Sequence, residues 1–262
     1  EEMRFNHSVA MMSAGIILIT SCAVAQAEGV AGDWSGQLTL YGWVPGIKGD
    51  QTLPSGDPLI DLSGRDVLDA LEGAFFGAAE LRRGHWGLLF DFMYADLEQD
   101  GFATGTIIPG AAPANATVAT TFKVATAALA YRAYETEKQV VDVYGGLRYY
   151  DVDADFTFRI PSIPFEASRG ASSSWTDAII GLRGQVQLTD KWSLTGLADV
   201  GGFGIGSSSD LSWQALVTAD YAFSDRLTGR IGYRHMGIDN NSNALDLDLD
   251  LGGPVIGLTW AF

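Results

Sequence analysis

Residues 86–94 have the sequence WGLLFDFMY, and their alternation decides the class of fold. One parity is aromatic or leucine throughout: Trp86, Leu88, Phe90, Phe92 and Tyr94. The other parity includes Gly87 and Asp91. A period of two residues is the pattern of a half-buried β-strand, and residues 211–223 repeat it. These stretches predict an all-β protein.

Ten stretches with this alternation follow one another along the chain. They cover residues 34–45, 74–83, 86–98, 116–134, 140–158, 172–188, 192–205, 210–223, 227–239 and 245–262. Short turns at residues 83–85, 135–139, 189–191 and 224–226 alternate with generally longer links. Outer-membrane barrels sort their connections in this way, with tight periplasmic turns and long extracellular loops. We predict a ten-stranded antiparallel transmembrane β-barrel, with eight or twelve strands as alternatives.

The C-terminal stretch IGLTWAF is the most specific signal. Ile256, Leu258, Trp260 and Phe262 share one parity, as in the terminal strands by which bacterial outer-membrane barrels engage the barrel-assembly machinery. We predict that these four residues are the assembly signal. Aromatic residues also stand at strand ends, where membrane barrels place their girdles: Trp86, Trp192, Phe223 and Trp260. These aromatic residues favour a barrel whose apolar face points outward to lipid. Periodicity alone does not distinguish this from a barrel whose apolar face points inward.

Several motifs resemble those of a widespread group of poorly characterised bacterial outer-membrane β-barrel proteins. They are WSG at 34–36, LYGW at 40–43, GHWGL at 84–88, GGFG at 201–204 and GLTW at 257–260. The resemblance runs through nearly all of residues 28–262. It implies a barrel in the outer membrane, and it implies neither a substrate nor catalytic residues.

The first 27 residues have the layout of a secretory signal. An apolar run over residues 9–19 follows Arg4 and His7, and small residues end in Ala25-Gln26-Ala27. We predict a cleaved signal peptide over 1–27 and an outer-membrane barrel domain over 28–262. The alternative is a lipoprotein acylated at Cys22, because residues 19–22 resemble a lipoprotein box.

The net charge of −16 at pH 7 excludes a nucleic-acid partner. Most of the acidic residues in excess lie in the five predicted long loops. An acidic extracellular rim concentrates cations near the mouth of the barrel. Divalent cations are therefore possible partners of these loops, for which Asp246, Asp248 and Asp250 are candidates, although a solvated rim explains the same residues. We predict no cofactor and no dedicated metal site.

Charged residues also occur on the parity that faces the lumen. This predicted lumen charge network comprises Glu80, Arg82, Asp91, Arg132, Asp142, Arg148, Asp177, Arg183, Asp199, Asp220, Arg230 and Arg234. The two signs balance. The network either fills a narrow barrel with ion pairs or forms a constriction that selects small polar solutes.

A short helix is predicted in the first long loop. Ser63 and Asp66 have the spacing of a capping box, ahead of an apolar stripe at Val67, Leu68 and Leu71. Such a helix would cover the barrel rim or enter the lumen.

The predicted function is that of a surface-exposed outer-membrane barrel, either structural or a narrow passive channel for small polar or cationic solutes. Outer-membrane lipid is the expected surrounding partner. Two alternatives are an adhesin and a lipid-modifying enzyme that uses His235, on the lipid-facing parity. A hydrolase needs a hydroxyl beside its base, and position 237 is Gly. We therefore expect no catalytic residues and no enzymatic role.

Overall fold

The computed structural model describes residues 34–52, 58–100, 115–160, 165–241 and 247–262. The predicted signal peptide, Cys22 and Asp246 lie outside the described residues, and the domain boundary at residue 27 stays a prediction.

Ten strands of the described chain close into a barrel in which sequence neighbours pair antiparallel and the first strand meets the last. They are β1 (Trp34–Trp43), β4 (Leu71–Arg83), β5 (Trp86–Asp100), β6 (Asn115–Glu135), β7 (Gln139–Ile160), β8 (Phe165–Gln187), β9 (Trp192–Gly202), β10 (Leu211–Ala222), β11 (Leu227–Asn240) and β12 (Leu247–Ala261). The prediction of a ten-stranded antiparallel barrel is confirmed. Two further strands, β2 (Gly46–Thr52) and β3 (Pro58–Leu62), lie in the predicted first loop.

The extra strands extend the sheet above the end of β1. Pro45 has no backbone N–H and interrupts the ladder after β1, and β2 then resumes pairing with β12 at Gly46 opposite Gly252. The strand β3 pairs with β2 and forms the outer edge of this hairpin.

The barrel seam joins β1 to β12 from Gln37 opposite Ala261 to Trp43 opposite Val255. Gly36 and Phe262 add two reciprocal backbone hydrogen bonds, of 2.8 and 2.9 Å. The Phe262 ring lies over Gly36 and occupies the space where a Cβ would stand. Phe262 is therefore part of the barrel seam.

The aromatic parity of the strands faces outward. Trp86 is 54% exposed, and Phe90 and Phe92 on the same strand are also exposed, although all three are large apolar side chains. Leu, Ile, Val and aromatic residues continue this apolar surface on the other barrel strands. A closed barrel with an apolar outer band satisfies its backbone internally and suits a hydrocarbon surrounding. The protein is a membrane-spanning barrel of the outer-membrane type, located in the bacterial outer membrane.

No helix among the residues described is long and apolar enough to cross a membrane.

The barrel wall is much taller on one side. The strands β6 to β8 have 21, 22 and 23 residues, whereas the other barrel strands have 10 to 15. On the outer face of β7 the apolar residues end at Tyr149, and Asp151 and Asp153 follow. A tilted strand crosses the bilayer in ~9–11 residues, so the upper parts of β6 to β8 project beyond it. We call this projection, residues 115–123, 151–160 and 165–174, the extension.

The predicted short helix is present as α1 (Gly64–Asp69), with the capping box formed. The Asp66 backbone N–H donates to Ser63 Oγ at 3.3 Å, and the Ser63 N–H donates to Asp66 Oδ2 at 2.8 Å. The helix contacts β2 and β3, with Val67 buried. Hydrogen bonds from Ser63, its side chain first, hold the pKa of the exposed Asp66 carboxyl below its usual value.

Candidate functional site

The barrel interior changes from charged to apolar along its axis, and β7 shows the change most clearly. From the short-turn end its inward residues are Asp142, Tyr144, Gly146 and Arg148, followed by Tyr150 and Val152. In outer-membrane barrels the short-turn end faces the periplasm. The candidate site is therefore a lumen with a polar half toward the periplasm and an apolar half toward the outside.

The lowest ion-pair group surrounds Asp142, which is 1% exposed. Its two carboxylate oxygens contact Arg82 at 2.8 Å, Arg132 at 3.1 Å and Arg183 at 2.6 Å. Glu80 lies beside Arg82 and Arg183, at 2.8 Å from each. We call these five residues the lower network. Asp142 and Glu80 compensate these three guanidinium groups, and Arg132 also lies 3.3 Å from the exposed Glu135.

A second group crosses the middle of the lumen. Arg148 and Asp199, both completely buried, form an ion pair of 2.8 Å. Tyr144 donates a hydrogen bond to the same Asp199 oxygen at 2.8 Å. Gln214 also donates to Asp199 and accepts from Arg234 at 2.6 Å. Direct side-chain contacts thus link β7 to β11 through Asp199 and Gln214.

The Arg234 side chain joins this middle group to the opposite wall. It donates to Tyr41 Oη at 3.0 Å and lies 3.6 Å from Asp91 Oδ1. Tyr41 donates in turn to both Asp91 oxygens at 3.0 Å. The Arg234 guanidinium also lies 5.3 Å from the centre of the Trp43 ring, where the apolar half begins.

Three of the twelve predicted lumen charges lie apart from these groups. Asp177 accepts hydrogen bonds from the Ser209 N–H at 2.8 Å and the Ser212 hydroxyl at 2.6 Å. Asp220 accepts from two threonines, and Arg230 approaches it at 3.8 Å. The structure therefore places the twelve residues in the lumen as separate groups, and a single continuous network is absent from the described side chains.

The outer half of the lumen is filled by a cluster that we call the apolar layer. Its members come from seven strands, and none is more than 7% exposed: Trp43, Met93, Val124, Tyr150, Val152, Trp175, Met236, Ile238, Leu251 and Val255. The rings of Tyr150 and Trp175 stack at 4.9 Å with an angle of 16°. Phe76 and Leu216, from two further strands, pack against the cluster. The apolar layer packs across the barrel outside the charged half of the lumen, and the buried hydroxyl groups of Ser209 and Ser212 lie beside it.

A cavity of about 300 Å³ lies on the polar side of this layer, lined in part by the lower network. Ser35, Gln37 and Gln185 face inward at the short-turn end and are nevertheless exposed, so water enters there. Arg148, farther along the axis, is fully buried. The cavity is therefore open at the short-turn end, and Arg148 lies beyond the part that water reaches.

The side chain of His235 lies on the outer face of β11. Its ring stacks on Trp213 at 5.0 Å, and its Nε2 lies 2.7 Å from Asp250 Oδ1. The Trp213 ring also fills the space where a Cβ at Gly237 would stand, so this position cannot supply a hydroxyl. The structure brings a base and a carboxylate together and places no serine or threonine hydroxyl in contact with them among the contacts it describes.

Carboxylates of the extension share one cation. Lys123 Nζ lies 2.8 Å from Asp151 and 3.6 Å from Asp153 on the outer face. Within the described ranges, no group of three or more His, Cys, Asp or Glu residues is arranged to hold a metal ion. Divalent cations at the acidic loops stay a prediction.

Three solved barrel proteins are similar to the chain. The translocator domain of autotransporter NalP from Neisseria meningitidis is 15% identical, with a TM-score of 0.46 and 90% of each chain covered. The outer membrane protease OmpT from Escherichia coli is 9% identical, with a TM-score of 0.47 and 90% and 99% of the two chains covered. The attachment invasion locus protein Ail of Yersinia pestis is 14% identical, with a TM-score of 0.40 and 89% and 100% covered.

No protein-family model matches the chain, and no curated protein matches it. Because the identities are low, the location of the chain follows from its own apolar outer face.

Proposed function

We propose that this protein is a structural barrel with a closed lumen, and that its working part is the extension that it holds beyond the membrane surface. The observation that carries the proposal is the apolar layer. A channel needs a continuous polar path, and the polar half of the lumen ends at Tyr150, Trp175 and Met236.

The closure opposes both ions and small polar solutes. Moving a polar group without a hydrogen-bond partner into an apolar interior costs on the order of 2–7 kcal/mol, and moving an ion costs far more. The stacked rings of Tyr150 and Trp175 cannot move out of the lumen without leaving a void in a close-packed cluster. The lower network therefore fills and braces the barrel on this proposal, and does not select a solute.

The same proposal gives the protein no enzymatic activity. His235 and Asp250 would supply a base and its orienting carboxylate, but acyl transfer also requires a nucleophile within hydrogen-bond reach. Cells with and without the protein should therefore contain the same outer-membrane lipids by mass spectrometry. A lipid change that His235→Ala abolishes would contradict this part of the proposal.

Planar-bilayer conductance tests the closed lumen. The native protein should produce no stepwise current, whereas the double variant Tyr150→Ala, Trp175→Ala should open a small pore. The matched control is Tyr149→Ala, which removes the same side chain from the outer face of β7 and should stay silent. Stepwise currents from the native protein that change in Arg183→Ala would refute the proposal and support a narrow channel.

A further inference from the structure

The strand β8 has an open edge where the extension rises above its neighbour. Pairing with β9 runs from Gln187 opposite Ser193 to Ile179 opposite Gly201 and ends there. Gly202, Phe203, Gly204 and Gly206 have positive φ values and turn the chain away into the short link to β10. On its other side β8 stays paired with β7 up to Phe165 opposite Ile160. Residues 166–174 of β8 therefore have a described strand partner on one side alone.

Among the described residues, the open edge lacks Pro, Lys, a bulge and a covering strand, and its charged side chains are Glu166 and Arg169. Native edge strands are blunted by Pro, Lys, bulges or a covering loop. Residues 166–174 have the sequence EASRGASSS, which contains neither Pro nor Lys, and the β7–β8 ladder shows no register shift. Residues 166–170 are all exposed. Small side chains on a regular edge leave the backbone N–H and C=O groups accessible to an added strand.

The charge around this edge is acidic on the outer face. Asp151, Asp153 and Asp155 stand on the adjacent strand, and Lys123 contacts the first two. Asp155 leans across β8 itself, since a Cβ at Gly170 would lie 2.6 Å from Asp155 Oδ1. Gly170 thus leaves a gap through which this carboxylate reaches toward the open edge.

The other charged pair near the edge is already neutralised. Arg159 donates two hydrogen bonds to Glu166, at 2.8 and 3.1 Å. The unbalanced charge that a new strand would meet on the outer face is therefore negative. An added strand whose alternate residues are Lys or Arg fits this face. The other face carries Ala167, Ala171 and the exposed Arg169, beside which small uncharged side chains fit.

We propose that residues 166–174 of β8 bind an extended, basic segment of another protein by β-strand addition. Backbone hydrogen bonds supply the attachment, and a basic side chain opposite Gly170 meets Asp155. This inference rests on the proposed role of the extension as the working part of the protein.

The direct test uses a fluorescent twelve-residue peptide of alternating Lys and Thr, added to the full barrel in phosphatidylcholine nanodiscs. Fluorescence anisotropy should show saturable binding, and amide hydrogen exchange should slow in residues 166–174. A peptide with the same side chains and alternate backbone nitrogens methylated should not bind. Equal binding of the methylated peptide would show simple charge attraction and would overturn the proposal.

Variants of the barrel separate the backbone and charge contributions. Asp155→Asn should weaken binding by up to about fivefold, as expected for one partly exposed ion pair. The control Asp239→Asn removes an acidic residue on the distant strand β11 and should leave binding unchanged. An equal loss in both variants would contradict the assigned position.

Proline scanning tests the edge itself. Ser172→Pro and Ser173→Pro remove adjacent backbone N–H groups, of which one points to β7 and the other to the open side. The variant that keeps a folded barrel should lose peptide binding; native binding by that variant would overturn the proposal.

The peptide results are independent of the closed lumen, because conductance of the peptide-free barrel tests the closed lumen separately. Binding of anionic or zwitterionic vesicles in place of the peptide would instead identify a lipid surface as the partner and count against strand addition.

Discussion

Replacing Asp142, the centre of the lower network, should lower the free energy of unfolding of the barrel more than replacing most other charged residues. In Asp142→Asn the side chain keeps its shape and loses its charge. Arg82 and Arg183 are then left with Glu80, and Arg132 is left with the exposed Glu135 at 3.3 Å. Removing one partner of a buried ion pair typically costs ~3–5 kcal/mol. Arg132 and Arg183 are partly exposed to the cavity, which places the expected loss at the lower end, about 3 kcal/mol.

The assay is equilibrium unfolding of the barrel in lipid vesicles by guanidinium chloride, followed by tryptophan fluorescence. A loss of about 3 kcal/mol corresponds to roughly a hundredfold change in the unfolding equilibrium constant. The matched control is Asp153→Asn on the same strand, whose side chain is 48% exposed and lies 3.6 Å from Lys123. A pair of this kind contributes about 1 kcal/mol at most.

A double variant tests the cause of the loss. If surplus buried positive charge is responsible, adding Arg183→Gln to Asp142→Asn should recover part of the lost stability, because the two residues contact each other. Equal destabilisation by Asp142→Asn and Asp153→Asn, or strictly additive effects in the double variant, would refute the reasoning.

Three further predictions concern assembly, pH and topology. Deleting Phe262 removes two seam hydrogen bonds and should leave little heat-modifiable barrel on a gel, whereas normal folding would show that the last residue is dispensable. The pKa of Asp66 is lowered in the folded protein, so its carboxylate stabilises α1 at pH values above the ordinary carboxyl pKa and loses this effect as the pH falls through the lowered pKa. In Ser63→Ala, a carbon-13 titration should show a higher pKa for Asp66. An unchanged pKa would count against the capping hydrogen bonds. A tag at Ser207 should be labelled on intact cells and a tag at Asp190 should not, and reversed labelling would invert the barrel.

Strand positions inside the membrane could be predicted closely from the sequence. The predicted stretches 86–98 and 227–239 correspond to β5 and β11, which end two residues and one residue later. In these segments one face of the strand contacts lipid, so every second side chain must be apolar. The start of β8 was predicted at residue 172 and lies at Phe165, because residues 165–171 stand beyond the bilayer and need no apolar face.

The apolar layer could not be predicted from parity. Met93, Val124, Tyr150 and Met236 lie on the parity that faces the lumen, the same parity as Asp91, and periodicity gives the face of a residue without its depth. The available signal was the loss of polar residues from the inward parity toward the outer end of β7, where Tyr150 and Val152 follow Arg148. The sequence pattern also does not predict which charged residues pair within the lumen. Arg148 is opposite Asp177 in the strand register, but its side chain contacts Asp199.

The unequal height of the wall also sets how the protein would carry a mechanical load. A partner attached along residues 166–174 and pulled away from the cell would draw on β8, which is paired with β7 from Phe165 opposite Ile160 down to Val186 opposite Gln139. The rungs of an antiparallel ladder lie perpendicular to the strands. A pull along the strand therefore strains the whole ladder at once in shear, instead of peeling it apart one hydrogen bond at a time, and the buried length of β8 serves as a tether that resists extraction.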